Sequence, residues 1–213
     1  MKHPKSASIR QLLETLREAG IDFIVVGGAA ATMHGSGTTT EDLDIVPAST
    51  PQNIDRLMDV LNELDAYFRD DAAKRRLKPT RSHLEGGGQL LLSTLLGPLD
   101  LLMRLHDGRA YNHLVRDSQV FTDDAIDVEV VRLPELIEIK RQAGRDKDKA
   151  VLPILIALLK RIQDAPSDAS PSPDARKPQA EDNKGEAGRD ERSDADSPPP
   201  PSSGRDGGPP AAG

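Results

Sequence analysis

The chain has 213 residues, a formal net charge of −7, no cysteine and only 2% aromatic residues. Without cysteine there is no disulfide framework, no thiolate metal site and no thiol nucleophile, and the negative balance argues against a basic nucleic-acid module as a whole. No apolar run has the length of a membrane span, and charges interrupt the first residues too often for a signal-peptide core; a cytoplasmic protein with no membrane partner is expected.

Residues 6–19 carry Ile9, Leu12, Leu13 and Leu16 on one helical face, with Gly20 as a stop. Phe23 to Val26 is a short β-branched run that ends in Gly27-Gly28, a strand entering a turn. Ala29 to His34 is small and suited to helix, and residues 35–40 read as loop. Leu43, Ile45 and Val46 interleave with Asp42 and Asp44 in a second strand. Thr50-Pro51 is an N-cap and first-turn pair for a helix bearing Ile54, Leu57, Met58, Leu61 and Leu64.

Shorter strands are expected at Gln89–Thr94, Leu99–Met103 and Ile126–Val131. Pro134 opens a helix that runs to Ala143, Gly144 interrupts it, and Asp146–Ile162 forms the last helix, with a kink expected at Pro153. From Ala165 to Gly213 there is no Val, Ile, Leu, Met, Phe, Trp or Tyr, and ten of the 17 prolines lie there. Such a segment has nothing to bury against its ordering entropy and is expected to be a disordered tail. The fold class is therefore α/β: a mixed sheet flanked by helices in one domain over 1–164, followed by the tail over 165–213.

The chemistry concentrates between Val25 and Val46. Side chains two apart on a strand share a face, so Asp42 and Asp44 project together. Two carboxylates that close repel unless a cation lies between them, and hard oxygen ligands suit Mg²⁺ shared with substrate phosphates. Gly27-Gly28 offers backbone that a phosphate can approach closely. A Gly-Gly turn followed by Asp-x-Asp on a neighbouring strand is a layout for metal-assisted phosphoryl or nucleotidyl transfer.

The run VVGGAAATMHGSGTTTEDLDIV resembles the defining motif of the nucleotidyltransferase superfamily with the polymerase-beta-like fold, and is especially similar to its AbiEii-type and minimal nucleotidyltransferase branch, many of whose members are toxins of toxin–antitoxin pairs. The resemblance implies a third carboxylate on a later strand, which Asp100 in Gly97-Pro98-Leu99-Asp100 matches. It also implies a helix lysine and a basic turn, which Lys140, Arg145, Lys147 and Asp148 match. By the same resemblance Asp42, Asp44 and Asp100 bind two Mg²⁺ ions, with Mn²⁺ as a substitute. Asp100 and Lys140 join the catalytic group, and Gly27, Gly28, Arg145, Lys147 and Asp148 hold the nucleotide. Relatives often have Ser where this chain has Gly28; a backbone amide, Ser36 or one of Thr38, Thr39 and Thr40 is expected to replace its contact.

The implied partners are an NTP donor, a tRNA or protein acceptor and a cognate antitoxin. Two other readings are a catalytically silent binding or regulatory protein and a transferase acting on a small molecule of the aminoglycoside kind. Outside this constellation His34 reads as a packing residue, His106-Asp107-Gly108 as a turn, and Lys74 to Lys78 as a solvated basic face.

Overall fold

A computed structural model describes residues 3–69, 75–123 and 126–164; the tail expected over 165–213 lies outside the described residues. In chain order the elements are α1 (Ile9–Glu18), β1 (Phe23–Val25), α2 (Gly27–Met33), β2 (Leu43–Pro47), α3 (Pro51–Glu63), β3 (Tyr67–Phe68), α4 (Arg81–Glu85), β4 (Gln89–Thr94), β5 (Gly97–Leu102), α5 (Tyr111–Leu114), β6 (Ser118–Asp123), β7 (Ile126–Val131), α6 (Leu133–Ala143) and α7 (Asp146–Asp164), with a 3₁₀ turn at Val115–Asp117. None of the described helices is long and apolar enough to cross a membrane.

The seven strands form one mixed sheet in the order β3-β4-β5-β2-β1-β7-β6. β2/β5 and β1/β7 run parallel, and the other pairs run antiparallel. The central strands are buried throughout or nearly so, as continuous apolar runs such as Phe23-Ile24-Val25 require. The stripe of α1 buries Leu12, Leu13 and Leu16, and α1 packs on β7 and α3. α6 packs on α2 and α7, which brings the C-terminal helices to the end of the sheet where β1 runs into α2.

Local chemistry fixes where the elements begin. Thr50 caps α3 by accepting from the Asn53 N–H at 3.3 Å, with Pro51 in the first turn. Asn53 is itself buried and satisfied: its Oδ1 accepts from the Asp22 N–H at 2.8 Å, and its Nδ2 donates to the carbonyls of Ala48 at 2.8 Å and Asp22 at 3.0 Å. One side chain thus ties the start of β1 to the end of β2, and those two strands carry the residues of interest. Buried amides with complete partners rigidify such a junction.

The structure departs from the expected elements at several points. The Gly-Gly turn is already the first turn of α2, with Val26 extended as its N-cap. β5 begins two residues earlier than expected, at Gly97. β3, α4, α5 and the edge strand β6 are additional. β6 pairs along its whole length with β7 although Val120 faces solvent; its polar sequence gives no alternation to read, as suits a strand at a sheet edge. Pro153 lies inside α7, at an exposed position.

Candidate active site

β2 and β5 run parallel with Asp44 directly opposite Asp100. Asp42 precedes β2 by one residue on the same face. One carboxylate oxygen from each of Asp42, Asp44 and Asp100 can be chosen so that all lie within 4.8 Å of one another. Asp42 and Asp44 are half-buried and Asp100 is buried. The pairing of β2 with β5 thus places the three sequence-predicted carboxylates together, although Asp44 and Asp100 are 56 positions apart in the chain.

Gly27 and Gly28 are fitted to these carboxylates. Gly27 has φ +64°, and a Cβ there would stand 1.9 Å from Asp44 Oδ2, so no other residue leaves that carboxylate where it is. The Gly28 backbone amide lies near enough to the Asp44 carboxylate to favour its ionised form. A Cβ at Gly28 would stand 2.4 Å from Thr40 Oγ1. The hydroxyl of Thr40 therefore fills the space that a side chain at position 28 would need, and it donates to Asp42 Oδ1 at 2.8 Å. Thr32 holds the intervening loop by donating to the carbonyl of Thr38 at 2.9 Å. Ser36 is not brought to the carboxylates: its hydroxyl pairs with that of Thr38 at 2.7 Å, and it borders a separate depression against α7.

On the other side stands a basic wall from the α6–α7 junction. Asp148 is 1% exposed; Lys140 Nζ donates to its Oδ1 at 3.1 Å and Arg145 Nε to its Oδ2 at 2.8 Å. Lys140, Arg145 and Lys147 line one cleft together with Gly27, Gly28, Thr40, Asp42 and Asp44. A second cleft, about 530 Å³ counted out to its open mouth, lies on the Asp100 side. Leu91, Leu102, Leu105 and Ile139 line it, together with Gln89 and His106. Asp44, Arg145 and Lys147 border both clefts.

Electrostatics follow from this crowding. Loss of water raises the Asp44 carboxyl above the ordinary carboxylate range and Asp42 adds to it, while Lys147, the Gly28 N–H and Arg145 oppose. Burial pushes Asp100 up to about 7 against the pull of the Arg69 guanidinium, with Asp44 adding to the rise. Two carboxyls that resist ionising, Asp44 and Asp100, beside a third at Asp42 match the oxygen donor set of a hard divalent cation, whose charge would favour their ionised forms.

A pH dependence follows. Between 3.8, the ordinary value, and about 7, the folded protein holds a proton on Asp100 that the unfolded chain has released. Stability from this group therefore falls as pH rises through that window and is fully lost above it. The rise in melting temperature on adding Mg²⁺ should accordingly be larger at pH 8 than at pH 5.5, and Asp100→Asn should remove most of that difference. Equal shifts at both pH values would show that Asp100 takes no part in holding the ion.

Two contributors were not visible in the sequence reading. Arg69, whose Nη2 lies 2.5 Å from Asp100 Oδ1, follows a two-residue strand that has no periodic signature. His106 borders the Asp100 cleft from what the sequence shows only as a turn. His34 is a packing residue: its Nε2 meets the Val131 carbonyl at 2.8 Å and its ring stands edge-on to Phe121. In the basic stretch near residue 76, Arg76 Nη2 lies 2.5 Å and Lys78 Nζ 3.0 Å from Asp65, and Arg76 also stacks over Tyr67; Lys74 lies outside the described residues.

No curated protein matches the chain at a significant level. Among solved structures, the lincosamide antibiotic adenylyltransferase LnuA, crystallised with lincomycin, superposes with a TM-score of 0.51 at 10% identity; the match covers 73% of this chain and 99% of that one. It shows that the fold is that of the nucleotidyltransferases. A Thermotoga maritima chain provisionally assigned as a nucleotidyltransferase gives a TM-score of 0.42 at 14% identity, over 70% of this chain and 89% of that one. Residues 5–165 match the family model described as "Nucleotidyl transferase of unknown function (DUF2204)", and the chain belongs to that family.

Proposed function

We propose that the protein transfers a nucleotide from an NTP to a hydroxyl on a small-molecule acceptor, with Asp42, Asp44 and Asp100 holding a divalent cation, Mg²⁺ or in its place Mn²⁺. The observation that carries this reading is the convergence of those three carboxylates beside a wall of Lys140, Arg145 and Lys147. A bound divalent cation would supply Lewis-acid charge to the reacting phosphate oxygens. The acceptor oxygen forms a bond to the α-phosphorus, the bond to the bridging oxygen breaks, and pyrophosphate leaves. Asp100 accepts the hydroxyl proton. Arg145 and Lys147 offset triphosphate charge from the exposed side, and Lys140 does so from the base of the wall. Gly27 and Gly28 border the same cleft and leave room for the Asp44 carboxylate and the Thr40 hydroxyl against the backbone.

The cleft on the Asp100 side favours a small molecule as acceptor. It sets the aliphatic side chains of Leu91, Leu102, Leu105 and Ile139 among the polar groups of Gln89, His106, Asp107 and Gln142, a concave lining that can pair with the hydroxyls and cover the apolar faces of a small polyhydroxylated molecule. The tRNA or protein acceptor, and with it the toxin role and an antitoxin, is the second reading. It draws on the likeness of the Gly-Gly and Asp-x-Asp run to toxin-type members.

The test is incubation of the full chain with Mg²⁺ and each NTP labelled at the α-phosphate. The acceptors are total tRNA, lysate protein and a panel of hydroxylated small molecules, including aminoglycosides and lincosamides. Label on a small molecule is the expected result. Label on RNA or protein would favour the toxin reading, and NTP binding without any transfer would mark a catalytically silent protein.

A further inference from the structure

Asp44 and Asp100 are set opposite each other by the pairing of their strands. Asp42 is placed differently. It lies in the bend before β2, whose pairing with β5 begins only at Leu43, so no strand register fixes its side chain. It also stands beside Asp44, and like charges that close push the freer carboxylate away. Thr40 holds it: the Thr40 hydroxyl donates to Asp42 Oδ1 at 2.8 Å and lies 3.2 Å from the Asp42 carbonyl oxygen. A hydroxyl that donates to a carboxylate makes one of the stronger hydrogen bonds available to a neutral side chain.

Thr40 keeps this place because of what position 28 lacks. Gly28 has no left-handed φ, so its backbone would accept a side chain and the obstacle is space. The three atoms nearest to a Cβ there would all belong to Thr40: Oγ1 at 2.4 Å, Cβ at 2.7 Å and Cγ2 at 3.6 Å. A side chain at position 28 would therefore drive the hydroxyl from Asp42. Thr32 keeps the loop in register with Gly28, its hydroxyl meeting the carbonyls of Gly28 at 3.1 Å and Thr38 at 2.9 Å. We propose that Gly28 and Thr40 form one positioning unit for Asp42: the glycine leaves the space, the hydroxyl fills it, and the Asp42 carboxylate is thereby aimed at the cation beside Asp44 and Asp100. Groups that hydrogen-bond a metal ligand from behind set its orientation and much of its affinity. Both residues act through Asp42. The inference rests on the reading of Asp42, Asp44 and Asp100 as a cation site, and it holds for one ion or two.

The experiment titrates Mn²⁺ into the full chain at pH 8 without nucleotide, reads the free ion by electron paramagnetic resonance, and takes as triad sites those lost in Asp44→Asn. Thr40→Val keeps the shape of the side chain and removes the hydroxyl; it is expected to weaken triad Mn²⁺ about tenfold to a hundredfold. Thr40→Ser keeps the hydroxyl and is expected to bind as the unsubstituted chain does. Gly28→Ala is expected to weaken binding much as Thr40→Val does, yet to cost nothing further in a Thr40→Gly background, where the side chain it displaces is gone. Melting temperatures in chelator establish that each variant is folded, and Thr40→Ala takes the place of a valine variant that is not. Unchanged affinity in Thr40→Val or in Gly28→Ala, a loss in Thr40→Ser equal to that in Thr40→Val, or a Gly28→Ala loss that persists in full in the Thr40→Gly background would overturn the unit and leave the cation site standing. With nucleotide absent, a glycine that served only the approach of phosphate would give the unchanged Gly28→Ala result. Mn²⁺ binding that is the same in Asp44→Asn as in the unsubstituted chain would overturn the cation site and the inference with it.

Discussion

Asp44→Asn should lower nucleotidyl transfer by a factor on the order of 10³ while leaving the chain folded. Asp44 occupies a position that touches every part of the site: it faces Asp100 across β2 and β5, lies against Gly27 and borders both clefts. The amide preserves its shape, so the tight approach of Gly27 is undisturbed. It removes a charge that the fold disfavours, because loss of water and the neighbouring Asp42 both raise the carboxyl. The metal-free variant should therefore melt no lower than the unsubstituted protein, since a strained like charge has been deleted. The measurements are the initial rate of α-label transfer with saturating acceptor and the melting temperature in chelator. Retained activity would remove Asp44 from the reaction. A collapsed melting temperature would show instead that Asp44 is needed for folding, and the rate would then carry no information on catalysis.

The same residue shows what the sequence discloses. Asp42 and Asp44 are readable because strand period and short spacing place them together without knowledge of the fold. Gly27 and Gly28 are readable as backbone that something must approach closely. What they approach is not: Asp44 Oδ2 and Thr40 Oγ1 take the two spaces where Cβ atoms would be, and only the antiparallel register of β1 on β2 brings that about. Asp100 is identifiable by likeness alone, since its partnership with Asp44 depends on a parallel pairing between strands far apart in the chain. Arg69 is the extreme case. It reaches Asp100 across β4 from an element of two residues, and neither propensity nor periodicity can signal a strand so short, whose existence depends on pairing with β4. The longer helices α1, α3 and α6, by contrast, follow from stripes, Thr50-Pro51 and Gly144, because those signals are local.

Asp148→Ala should cost about 3–5 kcal/mol of stability, the usual result of removing one partner from a buried ion pair. Asp148 is 1% exposed and holds Lys140 from α6 with one oxygen and Arg145 from the turn with the other. Burial alone would raise its carboxyl, but the hydrogen bonds and charges of Arg145 and Lys140 hold it below the ordinary range. The sign follows: its contribution is fully present above the ordinary value of 3.8 and is lost as pH falls through the lower folded value, so acid should loosen the α6–α7 junction. The same loss should raise the KM for NTP, because the wall of Lys140 and Arg145 would no longer be held beside the Gly-Gly turn. Stability and function can be separated. Lys140 is only 11% exposed in its side chain, and replacing a buried pair by apolar residues of similar size is often neutral or stabilising. Lys140→Met combined with Asp148→Leu should therefore recover most of the melting temperature lost in Asp148→Ala, measured by thermal denaturation, yet leave nucleotide binding weak. If the double variant recovered nucleotide affinity along with stability, Lys140 would have no part in holding the triphosphate, and the junction would serve only to fasten α7 to the domain.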